Sequence, residues 1–264
     1  MKKDGHIHSR YCPHGTNNSF EEYIEKAISL GFQEISFTEH APLPKGFEDS
    51  TPTKDSAMEI ECLPNYFADI NKIKRKYEKY IKINAGLEVD YIEGFEKETT
   101  DFLNQFNSFI DDAILSVHFL KIGDEYDCVD YSPDLFKTMT KKYGSVEAVY
   151  ENYFRTVALS VHSNLGHNKP KRIGHITLIH KFQHRFPVSK NFNQEIRSIL
   201  LAKKKHHYEL DYNGAGTAKP LCREPYPPAK IAEEAFKLGI PLIYGSDAHQ
   251  VKELGQGRDK MHFF

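Results

Sequence analysis

The sequence predicts a single α/β domain spanning residues 1–264, built as a closed or nearly closed seven-stranded (β/α) barrel. Three observations predict it. Short apolar runs alternate with amphipathic stretches along the whole chain, the pattern of a parallel sheet covered by helices. Helix-to-strand connections are short, as at 31–33 and 239–241, while the strand-to-helix connections 41–63, 119–144 and 213–226 are long. Elaboration on that one face is what a barrel shows when its site is built at the strand C-termini. Finally, no G-x-G-x-x-G follows the first strand, so a doubly wound dinucleotide-binding sheet, the alternative, has no support.

The elements follow in order. The first strand is expected at 4–8. A helix at 19–31 opens on a capping box, Ser19 with Glu22, and stops at Gly31. Its residues Phe20, Tyr23, Ile24, Ala27 and Ile28 share one 3.6-period face. ISFTEH supplies a strand at 33–38, and Pro64 sits in the first turn of a helix at 64–80. IKINAGLEV gives a strand at 82–88, followed by a helix at 94–106. AILSVH gives a strand at 113–118, with a helix at 145–166. A fifth strand at 172–176 precedes a helix at 192–205. YELDY (207–212) and IPLIYGS (241–246) flank the last helix, 227–239. Their β-branched and aromatic content suits buried parallel strands.

Composition narrows the function classes. Hydrophobic residues at 39% and aromatics at 12% supply a core without Trp. The 35 basic and 37 acidic residues nearly cancel, which gives no bulk attraction for nucleic acid. No run approaches the ~18 apolar residues of a membrane span. The N-terminal lysines precede no apolar segment, so neither a signal peptide nor a membrane partner is expected. Cys12, Cys62, Cys128 and Cys222 form no C-x-x-C pair. Reduced thiols in a cytoplasmic protein are expected, rather than disulfides or a thiolate zinc site.

The unusual count is histidine, 14 in 264. His6 and His8 lie two apart on the first strand, on one face. His14 lies in the loop after it. His40 ends the second strand, Glu88 the third, His118 the fourth and His175 the fifth, and Asp247 and His249 end the seventh. Each alone is an ordinary surface or core residue. Together they put a histidine or carboxylate at six of seven strand C-termini, where barrel sites are built. Nine side chains exceed the four that one zinc takes. They suit two to three divalent ions with Glu88 as a bridge, and imidazole with carboxylate suits Zn, Fe or Mn. Asp4 could orient an imidazole from behind. His162, His167, His180, His184, His206, His207 and His262 are expected to be ordinary surface residues.

The segments DGHIHSRYCPHG, FTEHAPLP, GLEVDYI, SVHFL, KPKRIGHITL and GSDAHQ resemble the polymerase-and-histidinol-phosphatase (PHP) family of metal phosphoesterases. Within it they look most like the stand-alone L-histidinol-phosphate phosphatases of histidine biosynthesis, over residues 4–249. The resemblance implies a distorted (β/α)7 barrel with a trinuclear centre. It assigns His6, His8, Glu88 and Asp247 to one ion, Glu88, His118 and His175 to a second, and His14, His40 and His249 to a third. It also implies hydrolysis of L-histidinol phosphate by a hydroxide bridging two ions. Glu88, Asp247 and His249 are the candidate catalytic residues.

A phosphate also needs protein donors. Arg155, Lys219 and Arg223 are candidates by their positions in or near the long loops, with Lys181 and Arg10 behind them. Asn213, past the sixth strand, is placed to touch substrate. Phe119, Phe182 and Tyr226 could wall an imidazole. Two other readings remain open here: a PHP nuclease or nucleotide phosphoesterase, and a metal domain without catalysis.

Overall fold

The computed structural model describes residues 2–261 and 263; His262 lies outside the described residues. In chain order the strands are β1 (Lys3–Ile7), β2 (Glu34–His40), β3 (Lys82–Asp90), β4 (Asp112–Ser116), β5 (Phe119–Ile122), β6 (Glu125–Cys128), β7 (Arg172–Ile173), β8 (Glu209–Asn213) and β9 (Leu242–Gly245). Seven of them form one sheet in the order β1-β2-β3-β4-β7-β8-β9, every pairing parallel. Its edges meet near the C-terminal ends. The Asp247 N–H donates to the His6 carbonyl at 2.7 Å, and the His8 N–H to that of Ala248 at 2.9 Å. The α/β barrel is thus nearly closed, as the sequence leads one to expect.

Helices α1 (Phe20–Ser29), α2 (Leu63–Tyr77), α3 (Glu96–Phe106), α4 (Pro133–Tyr143), α5 (Val146–His162), α6 (Asn193–Lys205) and α7 (Ala229–Lys237) cover the sheet. The capping box at Ser19 forms: the Glu22 N–H donates to Ser19 Oγ at 3.2 Å, and the Ser19 N–H to Glu22 Oε2 at 2.7 Å. Helix α1 buries Phe20, Tyr23, Ile24 and Ala27, while Ile28 stays exposed. In α2, the buried Tyr66 hydroxyl donates to the Phe37 and Gly86 carbonyls, at 2.9 and 2.7 Å, and pins the helix across β2 and β3.

Two expectations need correction. The stretch 119–144, expected as a loop, contains the antiparallel hairpin β5–β6 and α4. Ser132 caps α4 by accepting from the Leu135 N–H, and Gly144 ends it at φ 96°, so the helix has ordinary start and stop signals. The fifth barrel strand is two residues long rather than five. At Gly174 the chain presses against β4, where a β-carbon would collide with the Ser116 hydroxyl. It then turns into a 3₁₀ segment, Leu178–Phe182, and leaves the ladder.

The opposite, N-terminal end of the barrel is closed by charge. Lys3, Glu34, Lys82, Asp112 and Arg172 each open a strand. Lys3 lies 3.1 Å from both Glu34 and Asp112, and Lys82 lies 3.3 Å from Glu34. Arg172, 1% exposed, lies 2.6 Å from Asp112. Asn84 donates to Glu34 and Ser36, and Ser36 to Asp112. Only glycine fits at position 5, because a β-carbon there would strike the Arg172 guanidinium.

Candidate metal centre

The strand ends deliver their side chains to one place. His6 lies in β1 and His8 just beyond it, and both are fully buried. His40 closes β2, Glu88 lies near the end of β3, and His118 and His175 stand two residues past β4 and β7. Asp247 and His249 follow β9. Asp247 has φ 51°, a left-handed conformation unusual for aspartate. Its N–H bond to His6 and an Asn213 Nδ2 bond to its Oδ2, at 3.1 Å, hold it there.

Three groups have ligand atoms within 4.8 Å of one another: His6, His8 and Asp247; Glu88, His118 and His175; and His8, Cys12, His40 and His249. Glu88 joins them. Its Oε2 lies 3.2 Å from His6 Nε2, 3.6 Å from His8 Nε2 and 3.2 Å from His40 Nδ1. Its Oε1 lies 2.9 Å from His175 Nε2 and 3.8 Å from His118 Nε2. The two oxygens of one carboxylate therefore face different sets of imidazoles, the geometry of a bridge between cations.

The outer nitrogens show why these atoms fit metal ions. His6 Nδ1 lies 3.0 Å from Asp211, His8 Nδ1 3.2 Å from Glu39 and His118 Nδ1 2.7 Å from Asp90. His249 Nδ1 lies 3.1 Å from the Asp247 carbonyl. Each contact places the ring proton on Nδ1 and turns a bare Nε2 lone pair inward. His6 Nε2 and His8 Nε2 then face each other at 3.2 Å. Lone pairs this close repel unless a proton or a cation lies between them. Electrostatics says the same. Although burial opposes it, Glu88, Asp211 and Asp247 push His6 up to about 10, and Asp90 and Glu88 do likewise for His118. Burial would raise Glu88 and Asp247, yet the surrounding imidazoles hold both well below the usual carboxylate range. The site gathers positive charge, and divalent ions supply it without protonating the ligands.

The expected ligands do not all converge equally. His14 stands at the cavity rim, 38% of its side chain exposed, with Nε2 3.6 Å from Asp55. Its ring centre is 5.8 Å from that of His40 and 6.3 Å from that of His249. The buried Cys12, expected to be an ordinary thiol, occupies the cluster with His40 and His249 instead, 3.7 Å from His14 Nδ1. Asp4 does not face an imidazole ring: its Oδ1 accepts from the Ser246 and His6 N–H groups. The carboxylates behind the rings, Glu39, Asp90 and Asp211, are absent from the sequence reading. Asp90, two residues after Glu88 on one strand, was the one with a signal, since alternation puts both on the same face.

A cavity of about 400 Å³ opens above these groups. Lys219 and Lys181 line it, as do Phe119 and Tyr226. Other candidates sit elsewhere. Arg155 is an exposed residue on α5 whose guanidinium donates to Glu93 at 2.6 Å, and it does not line the cavity. Arg223 is exposed at φ 63°, its Nε donating to the Pro220 carbonyl at 3.1 Å. Arg10 pairs with Asp69, and Phe182 packs in the core. Asn213 is fully buried behind Asp247 and also donates to Asp211, so it faces these carboxylates rather than the cavity. Of the histidines expected at the surface, His180 instead pairs with Glu224 at 2.9 Å and stacks on Tyr150.

A family model described as the PHP domain matches residues 4–215. A histidinol-phosphatase of Bacillus subtilis strain 168 is 45% identical over 259 residues, 97% of this chain and 96% of that protein. The crystal structure of a proposed histidinol phosphatase from Listeria monocytogenes superposes with a TM-score of 0.92 at 41% identity, covering 98% of this chain and 99% of that one. A histidinol phosphate phosphatase from Lactococcus lactis, solved with zinc, L-histidinol and phosphate, shares the fold. Its TM-score is 0.67 at 24% identity, over 100% of this chain and 94% of that one.

Proposed function

The chain belongs to the PHP domain family, and we propose that within it this protein hydrolyses L-histidinol phosphate to L-histidinol and phosphate. The observation that carries the reading is Glu88, whose two oxygens face separate imidazole groups beneath one cavity. Overall, a water oxygen adds to phosphorus, the P–O bond to the alkoxide breaks, and the alkoxide takes a proton. Bound divalent ions acidify water and neutralise phosphoryl charge. His6, His8, Glu88 and Asp247 would hold one ion, and Glu88, His118 and His175 a second. His40 and His249 would hold a third, with His14 or Cys12 beside them.

The chain's own groups have separable tasks. Asp211, Glu39 and Asp90 fix the imidazole tautomers. Asn213 orients Asp247. Lys181 and Lys219, the lysines that line the cavity among the described residues, would meet phosphoryl oxygens, whereas Arg155 and Arg223 do not line it. Phe119, Leu178 and Tyr226 supply apolar wall for an imidazole end.

No helix among the described residues is long and apolar enough to cross a membrane. The four unpaired cysteines support a reducing, cytoplasmic setting. Elemental analysis and histidinol-phosphate turnover on one preparation test the assignment. Two or three equivalents of metal per chain with high turnover are expected. Fewer than two with full activity rejects the multinuclear site, and a preference for short DNA or nucleotides rejects the substrate.

A further inference from the structure

Resting on the proposed histidinol-phosphate reading, we infer that Asp130 is a specificity-determining residue that receives the substrate's ammonium group. Lys181, its ion-pair partner, would receive a phosphoryl oxygen.

The inference starts from the cavity's carboxylates, which among the described residues are Glu88, Asp90, Asp130, Asp247 and Glu253. Glu88 and Asp247 face the imidazoles. Asp90 is bonded to His118. Glu253 accepts from the His249 N–H and the Gln250 amide. Of these, Asp130 is the one whose bonds go to neither the imidazoles nor the residues bonded to them. Its Oδ2 lies 2.8 Å from Lys181 Nζ, and its Oδ1 accepts a weak bond from the Cys128 thiol at 3.3 Å.

Position makes this pair useful. The residue before Asp130, Val129, donates its N–H to the His118 carbonyl at 2.9 Å. Lys181 lies in the 3₁₀ segment whose start is tied back to His175, the Leu178 N–H donating to that carbonyl at 2.8 Å. Asp130 and Lys181 are thus fastened to the two histidines that face Glu88 Oε1. Both side chains remain partly open, 20% and 23% exposed.

The substrate chemistry matches. L-histidinol phosphate carries its ammonium on the second carbon from the ester oxygen, so opposite charges sit a few bonds apart. A cation and an anion in contact at the cavity wall present the complementary pair. On binding, each member exchanges its neighbour for the substrate group of opposite charge. No charged side chain is then left buried and unpaired. A phosphomonoester without the amine leaves Asp130 with its original partner and withdraws Lys181 from phosphate. That penalises simple alkyl phosphates.

The test measures kcat/KM for L-histidinol phosphate and for its des-amino analogue, imidazolylpropyl phosphate, with wild-type and Asp130→Asn holoenzymes of equal metal content. The wild type is expected to prefer the amine, and Asp130→Asn to reduce that preference by about 10- to 100-fold. Asp130→Glu should restore part of it. A merely structural role would lower both substrates together and leave the ratio at its wild-type value, which overturns the inference. So does a wild type indifferent to the amine. If the wild type hydrolyses neither compound, it is the proposed function that fails.

Discussion

Both ends of this barrel bury charge, but they balance it in opposite ways. At the N-terminal end, Lys3, Lys82 and Arg172 meet Glu34 and Asp112 directly, and Ser36 and Asn84 donate to the same two carboxylates. There each carboxylate finds its cation within the chain, although the Arg172 guanidinium makes no further hydrogen bond. At the C-terminal end, lone pairs point at lone pairs: His6 at His8, and both at Glu88 and Asp247. That end is complete only with something positive added. Hence buried polar groups alone do not mark a functional site. What marks it is a set of buried acceptors whose donors are missing while the outer nitrogens of His6, His8, His118 and His249 are already satisfied.

The largest test of this contrast removes the bridge. Glu88→Gln keeps the shape but loses the charge shared between imidazole sets. Turnover should fall by about 10²- to 10³-fold or more, and bound metal should drop, read by elemental analysis. The thermal midpoint gives a second readout. Because ions bind only the folded site, chelation should lower the midpoint of the wild type and leave Glu88→Gln nearly unmoved. Equal chelator sensitivity in the two proteins would sink the bridge assignment.

The matching change at the other end is Arg172→Met. It leaves Asp112, partly buried, with Lys3 and Ser36 but without its guanidinium. Stability should fall by about 3–5 kcal/mol in denaturant titration. Metal content and turnover per folded molecule should stay within about twofold, since no cluster atom is touched. Acid sharpens the result. Burial would raise the Asp112 carboxyl, but Arg172 and Lys3 hold it below its ordinary 3.8. The unfolded chain therefore binds this proton more readily, and the stabilisation is complete above about pH 4 and lost as pH falls toward the folded value. Arg172→Met should flatten that acid limb. An unchanged limb would mean that Asp112 draws little from Arg172.

How far these two ends were legible in the sequence differs for a physical reason. Metal ligands cluster because chemistry restricts them to few residue types, and strand ends place them in register. The convergence of His40, Glu88, His118 and His175 could therefore be read from their positions alone. The N-terminal ion layer uses common residues, Lys, Glu, Asp and Arg, whose pairing depends on which strands are neighbours. Nothing local in the sequence reports that Arg172 meets Asp112. The same limit explains Cys12 and His14, two residues apart in a turn. Which of them points inward is set by the backbone bonds from Cys12 N–H to Ser9 O and from Gly15 N–H to Cys12 O. Arg155 differs for a third reason: its place on a helix does not report the partner, Glu93, that holds the side chain at the surface.

A smaller effect lies behind the ligands. Asp211→Asn keeps the size but can present an amide N–H toward His6 Nδ1, which favours the wrong tautomer. Metal affinity or turnover should fall by about 10- to 100-fold, well short of the Glu88 effect. Asn213→Ala, which frees Asp247 Oδ2, should fall in the same range. If either matched Glu88→Gln in lost metal, the division between ligands and supports would be wrong.

The smallest expected effect is the most useful for the boundary of the site. Arg155 is a cation on α5, the helix that follows the long stretch 119–144. Its guanidinium is spent on Glu93 and Asn152 at the surface, about half exposed, where such a pair contributes at most about 1 kcal/mol. Arg155→Ala should therefore change kcat/KM by less than about twofold, whereas Lys181→Met should raise KM by about tenfold or more through loss of a charge-assisted bond. Equal losses in the two variants would mean that long-range field, rather than direct contact, gathers the phosphate. That outcome would be exposed by salt, because attraction across more than the ~8–10 Å screening length fades at 0.1–0.15 M ionic strength while a contact in the cavity does not.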